Sequence, residues 1–345
     1  MNRLKVVIGG VTVAVLVLFA AYLARDELQY RFVKASISAG MIAPDENPER
    51  FALYFCGTGT PRFHADRNQP CLLIVAGETT VLFDAGQGAL WAMEAIQAPW
   101  INLDAVFLSH LHSDHMSGLG EVIQNGWVAG RRQALDIYGP PGTAAVIDGF
   151  RQLYAADVTE RKPAFGYEPG QDASAHLWGA VDEVQIDDDD AHVVYAKKGL
   201  RISAFRVEHP RWTYAYGYSI EYKGKRVVFS GDTRATEAIV RHAKDADLLV
   251  HEAYNRNMMS TVARAVEDLD LNIDASVVEK IASVHTDTLA LADIAERASV
   301  QRLVITHMIP PIPPNGLAET LFAAGMDEVY KGPLTLARDG LVIEL

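Results

Sequence analysis

"VFLSHLHSDHMSG", Val106 to Gly118, is the stretch on which the fold turns. The apolar run Leu103–Ser109 that leads into it reads as a strand, so His110, His112, Asp114 and His115 fall in the loop just past its end. Neutral imidazole nitrogens and carboxylate oxygens are the donors that zinc and similar ions take. His110 and His112, at alternate positions, can converge on one ion, which leaves Asp114 and His115 to serve a second. A lone histidine carries no such meaning; four donors packed into one strand-end loop do.

Outward from this stretch the same pattern recurs. His209 ends the strand-like "LRISAFRVEH", Asp232 ends "KRVVFSGD" and His307 ends "QRLVITH". "FALYFCGTG", "PCLLIVAG", "TTVLFDAG", "LDIYGPPG", "YGYSIEY", "DLLVHEA" and "LVIEL" also read as strands, with a hairpin turn at Lys223 and Gly224. Helical periodicity covers Gly118 to Ala129, "TAAVIDGFRQLYAA", "ATEAIVRHAKDA" and "HTDTLALADIAERA". Strands interspersed with helices make a layered α/β domain with sheets between helices. In such folds sites gather beyond the carboxyl ends of strands. Five histidines and two aspartates are what two adjacent ions need when one carboxylate bridges them.

The chain has 345 residues, 49% of them hydrophobic, and a formal net charge of −13, which works against a polyanionic partner. Its two cysteines, Cys56 and Cys71, lie in apolar strand-like segments and read as buried thiols rather than a disulfide or metal site. Val6 to Ala24 is an uncharged run close to the roughly 20 residues a bilayer-spanning helix needs. Arg3 and Lys5 precede it, which keeps the N-terminus cytoplasmic and sends the rest outward. The expected organisation is a membrane anchor over residues 1–28, a linker over 29–50 and a hydrolase domain over 51–345. The catalytic part is then extracytoplasmic, or periplasmic, with a cleaved secreted form as the alternative.

"HLHSDH", followed in order by His209, "SGDT" and "ITH", resembles the metallo-β-lactamase superfamily from about Phe51 to Leu345. "FCGTGTP", "VLFDAGQG", "IYGPPGT", "VVFSGDTR" and "LLVHEA" resemble segments of its ribonuclease Z and arylsulfatase-like branch. The resemblance implies a four-layer αββα sandwich and two divalent metal ions, zinc first, with manganese or iron as alternatives. It implies that His110, His112 and His209 hold one ion, that Asp114, His115 and His307 hold the other, and that Asp232 bridges them.

Two metals activate water and stabilise charge on an ester under attack. Asp114 is placed to orient that water, and His285 is the candidate donor to the leaving oxygen, by resemblance to the acid of ribonuclease Z. Asp84, His251 and Glu252 are candidates for holding the ligand histidines, and Arg67 for gripping an anionic ester. Residues 157–198 read as a loop-rich insertion in the place of a lid. The segment "YGYSIEYKGKRVVFSGDT" leaves no room for the tRNA-gripping arm of bacterial ribonuclease Z. The expected substrate is therefore a small sulfate ester, phosphodiester or related ester, with the sulfate ester first, tRNA and other nucleic acid not expected as partners and a homodimer left open. The alternatives are a phosphodiesterase or ribonuclease Z-like nuclease and, in another class, a non-catalytic membrane-tethered binding module.

Overall fold

The computed structural model describes residues 25–40, 47–131, 133–167, 177–269 and 280–345. The chain divides into two units, Met1–Ala43 and Pro44–Leu345. In the first, Arg25–Gly40 is a helix, so the segment read as a linker is helical over much of its length. Asp26 and Glu27 in its first turn, where carboxylates face the positive end of the helix dipole, favour that start. Val6–Ala24, the expected membrane span, lies outside the described residues; among those described, no helix is long and apolar enough to cross a membrane.

The second unit is built on two mixed sheets. The first contains β1 (Phe51–Gly57), β2 (Cys71–Ala76), β3 (Thr79–Ala85), β4 (Leu103–Phe107), β5 (Asp136–Gly139) and β6 (Val181–Glu183). The second contains β7 (His192–Lys197), β8 (Leu200–Arg206), β9 (Tyr216–Tyr222), β10 (Lys225–Phe229), β11 (Leu248–Tyr254), β12 (Leu303–Ile309) and β13 (Leu334–Leu336). The last strand, β14 (Val342–Glu344), returns to the first sheet beside β1. The orders are β14-β1-β2-β3-β4-β5-β6 and β13-β12-β11-β10-β9-β8-β7. Each sheet begins as an antiparallel meander and turns parallel, at β3–β4 in one and at β10–β11 in the other.

Alternating residues put one face of each sheet against the other. Leu53, Phe55, Ile74 and Phe83 from the first sheet meet Ile202, Tyr218, Ile220 and Val227 from the second in a single buried cluster. The opposite face of the second sheet, with Phe205, Val228, Leu249 and Ile305, packs on Ile239 and on Leu291, Ala292 and Ala295 of helix Thr288–Arg297. Helices Ala89–Ala95 and Leu119–Val128 bury their own apolar faces, including Met93 and Trp127. Two sheets flanked by helices agree with the α/β sandwich expected from the sequence. Strands buried on both faces read as continuous apolar runs, which is why they were visible in the sequence.

Other expectations are corrected. Cys56 and Cys71 are joined in a disulfide, because the antiparallel pairing of β1 with β2 brings their Cα atoms to 5.0 Å. The stretch 157–198 is not an open lid over its described residues. Helix Thr143–Arg161 runs into it, β6 and β7 pair with the sheets, and Tyr167 and Trp178 are buried beside Trp127 and Tyr154. His176, also in that stretch, lies outside the described residues. The hairpin at Lys223–Gly224 is as expected, both residues in the left-handed region at φ 50° and 77°.

Candidate metal centre

The histidine motif is folded by a change of backbone conformation. His112 is extended, and Ser113–Met116 then forms one helical turn that carries Asp114 and His115 inward, where both are buried. The turn lies directly against the loop after β3. A Cβ at Gly86 would sit 2.1 Å from the Asp114 carbonyl oxygen, and one at Gly118 would sit 2.1 Å from the Gly86 carbonyl oxygen, so both positions require glycine.

Two β-bulges aim further side chains. Between β2 and β3 the pairing passes from Cys71↔Ala85 to Leu72↔Phe83, which leaves Asp84 as the extra residue. Between β11 and β12 it passes from Glu252↔Thr306 to Ala253↔Met308, which leaves His307 extra. Both adopt positive φ, 54° and 43°, a conformation unfavourable for non-glycine residues and held here by the surrounding sheet.

The donors converge in two groups. His112 Nδ1 lies 2.8 Å from His110 Nε2 and 3.2 Å from His209 Nε2. Asp114 Oδ2 lies 3.3 Å from His307 Nε2 and 3.5 Å from His115 Nε2. Asp232 Oδ2 faces both groups, at 3.9 Å from His110, 3.4 Å from His115 and 3.5 Å from His307. Within each group the donor atoms lie no more than 4.8 Å apart, and Asp232 also groups with His285 and His307. All seven residues expected as ligands are therefore together. The buried Nε2 of His115 makes no hydrogen bond. An unpartnered ring nitrogen among histidines and carboxylates fits divalent ions of the zinc kind.

Surroundings prepare these side chains for that task. Burial, reinforced by neighbouring histidines, holds His110 well below the ordinary histidine value and brings His112 down to about 4. His209 is lowered by burial too. These rings are neutral at pH 7, as ligand imidazoles must be. For His115 burial acts in the same direction but is outweighed by Asp232, Asp114 and Asp84, and the ring is raised well above the ordinary value. Burial would also raise Asp232, yet His307 and His115 hold it well below the carboxylate range.

The supporting contacts orient the rings. Asp84 Oδ2 lies 2.7 Å from His115 Nδ1, while its two oxygens accept from Ser109 N and Ser109 Oγ, both at 2.8 Å. His209 Nδ1 bonds the Val284 carbonyl at 3.1 Å, which turns Nε2 inward. Trp212 Nε1 donates to His112 Nε2 at 2.7 Å. Trp212 and Ser109 were not singled out from sequence, although each lies within a few residues of a ligand in "FLSH" and "HPRW".

His285 lies beside both groups, its ring centroid 5.4 Å from His209 and 5.6 Å from His307. It precedes its helix rather than heading it, since Asp287 caps the helix that begins at Thr288. Glu252 Oε1 is 3.3 Å from His285 Nδ1 and accepts from Thr286 N at 3.0 Å. Burial would lower His285, but the nearby Glu252 carboxylate outweighs it and raises the ring above the ordinary value.

Two candidates have other tasks. His251, fully buried, bonds the Glu252 carbonyl through Nδ1 at 2.6 Å, and its Nε2 has no partner, so it holds none of the ligand histidines. Arg67 is buried; its Nε donates to Ile312 O at 2.7 Å and its Nη1 to Thr58 Oγ1 and Ala337 O at 2.7 and 2.8 Å, while Nη2 has no partner. It ties three loops together.

The model of the Beta-lactamase superfamily domain matches residues 79–308, a span that holds every one of these ligands. The chain belongs to the metallo-β-lactamase superfamily. Within it the chain falls in the ribonuclease Z branch: it is 33% identical over 261 residues to ribonuclease Z of Mycobacterium bovis, covering 75% of this chain and 86% of that one. Against ribonuclease Z of Mycobacterium marinum it is 31% identical over 259 residues, covering 74% and 85%. The fold is shared with the short form of human tRNase Z, at a TM-score of 0.58, 20% identity and coverage of 85% and 98%. This superfamily member is a metal-dependent hydrolase of ester bonds.

Proposed function

We propose that the chain hydrolyses phosphodiesters at a dinuclear metal centre formed by His110, His112 and His209 on one side, Asp114, His115 and His307 on the other, and Asp232 between them. The observation that carries this reading is the position of Asp232 Oδ2, within 4 Å of ring nitrogens from both groups. The sulfate-ester expectation finds no support in the relatives, which bear the name ribonuclease Z. The same name returns an RNA end to the substrates to be tried, against the expectation that nucleic acid is not a partner. It also weighs against a non-catalytic binding module.

Ions in the two groups would lower the pKa of water and offset charge on the phosphoryl oxygens. The chain's own residues do the rest. Asp114, itself in the second group, would also orient the attacking water by accepting its hydrogen bond. His285, whose charged form the Glu252 carboxylate favours, stands ready to donate to the oxygen that leaves. Asp84 fixes the His115 ring so that its Nε2 faces inward.

The test is metal analysis of the full chain together with assays on aryl phosphodiester, aryl sulfate and precursor RNA. Two ions per chain and turnover of a phosphodiester are expected, and Asp232→Ala should lose at least one ion and most turnover. One tightly bound ion in the active wild type, or turnover of the sulfate alone, would overturn the reading.

We also infer an outward-facing location for the hydrolase domain. The charge-free run Val6–Ala24 behind Arg3 and Lys5 supports it, and so does the Cys56–Cys71 disulfide, since such bonds persist in oxidising compartments.

A further inference from the structure

Beside the metal centre opens a cleft of about 430 Å³ whose walls are Met259, Val262, Ile281, Ile309 and Pro310, with Arg62 also lining it. His285 lines the same cleft, so one ring borders both the metal groups and this apolar space. The walls are a packed unit of their own: Tyr254, Met259 and Ile309 form a buried cluster on which Val262 and Ile281 rest. Helix Arg256–Asp268, which supplies Met259 and Val262, is fixed at its start by Asn255, whose side chain accepts from Met258 N and donates to Phe322 O.

Building on the phosphodiesterase reading, we infer that this cleft receives the leaving alcohol of the substrate, and that this alcohol is an apolar, aromatic one. The side follows from His285. Its ring stands between the metal groups and the cleft, so a group on a phosphate held at the metals extends past that ring into this space. The chemistry follows from the walls. Thioether, aliphatic and proline surfaces leave water poorly partnered and reward a hydrocarbon ring, whereas a ribose or a further phosphate would lose its hydrogen bonds there. Arg62, which lines the cleft, supplies a positive charge for the single anionic phosphate.

The experiment uses the metal-loaded full chain in detergent and two diesters, methyl phenyl phosphate and methyl 2-naphthyl phosphate, whose leaving phenols are of similar acidity. The naphthyl ester should be preferred in kcat/KM by about tenfold, the size expected for taking a second ring out of water. Val262→Trp, which fills the cleft from an exposed helix, should erase that preference through KM while metal content and melting temperature hold. Equal kcat/KM for the two esters, a preference untouched by Val262→Trp, or faster cleavage of precursor tRNA than of the naphthyl ester would overturn the inference. If no phosphodiester is turned over, the proposed function fails on its own account. The cleft is then read by calorimetry: 2-naphthylphosphonate should bind at least about tenfold more tightly than methylphosphonate, and equal binding would refute it.

Discussion

The two donor groups differ at the level of single ring protons. In the His110, His112 and His209 group burial depresses the rings, His112 to about 4, so they stay neutral as pH falls through the ordinary histidine value of about 6.5. In the other group His115 is raised by Asp232, Asp114 and Asp84 in spite of its burial, so an ion bound through it must displace a proton. The sign follows directly: affinity at a raised histidine declines as pH drops from the alkaline side, and affinity at depressed histidines holds until pH approaches their lowered values. As pH is lowered, the ion held through His115 should be released before the ion held by His110, His112 and His209, by metal analysis after dialysis across a pH series. Simultaneous loss of both ions would contradict the separation. All seven expected ligands were visible in the sequence because they sit at or just past the ends of apolar strands, as donors with little other reason to be there. Trp212 and Ser109 were not, since an indole or hydroxyl acquires its role from the ring that the fold sets beside it.

Whole elements explain what periodicity shows and what it hides. The strands buried on both faces were visible as apolar runs, whereas β6, β7 and β13 are short or exposed and carry no such signature. Helix Arg256–Asp268 also went unread, although its apolar residues form one wall of the cleft. Bulges are invisible to a count of alternating residues, because they depart from the alternation at one position; that is how Asp84 and His307 come to point at the centre. Arg67 shows the reverse error, a charge near a motif that serves the frame. Its three bonds join the loop after β1 to the segments after β12 and β13. Arg67→Ala should leave buried carbonyls unpaired and cost about 2–4 kcal/mol, a drop of several degrees in melting temperature, with KM unchanged. A rise in KM without loss of stability would restore the substrate-gripping role.

At the scale of the molecule, the disulfide and the N-terminal run bear on the same question, where the hydrolase domain resides. Both cysteines sit in apolar strands, and composition alone made them look like buried thiols; only the β1–β2 pairing, with its irregularity between Phe55 and Gly57, reveals that they are partners. The bond closes a separation of 15 residues, for which loss of unfolded-chain entropy accounts for about 3 kcal/mol of stability. A domain that folds in an oxidising compartment keeps this contribution, and one held in a reducing compartment forgoes it. The full chain isolated from its source cells under thiol-blocking conditions should therefore show no reactive thiol until reduced, and then two. Cys56→Ser with Cys71→Ser should lower stability by about 3 kcal/mol without reductant and leave it nearly unchanged relative to wild type in reductant. A reporter fused after Leu345 should be active on the outer side of the membrane. Two free thiols in the native chain, together with a reporter active only in the cytoplasm, would place the hydrolase inside and return its substrate to the cytoplasmic phosphodiesters.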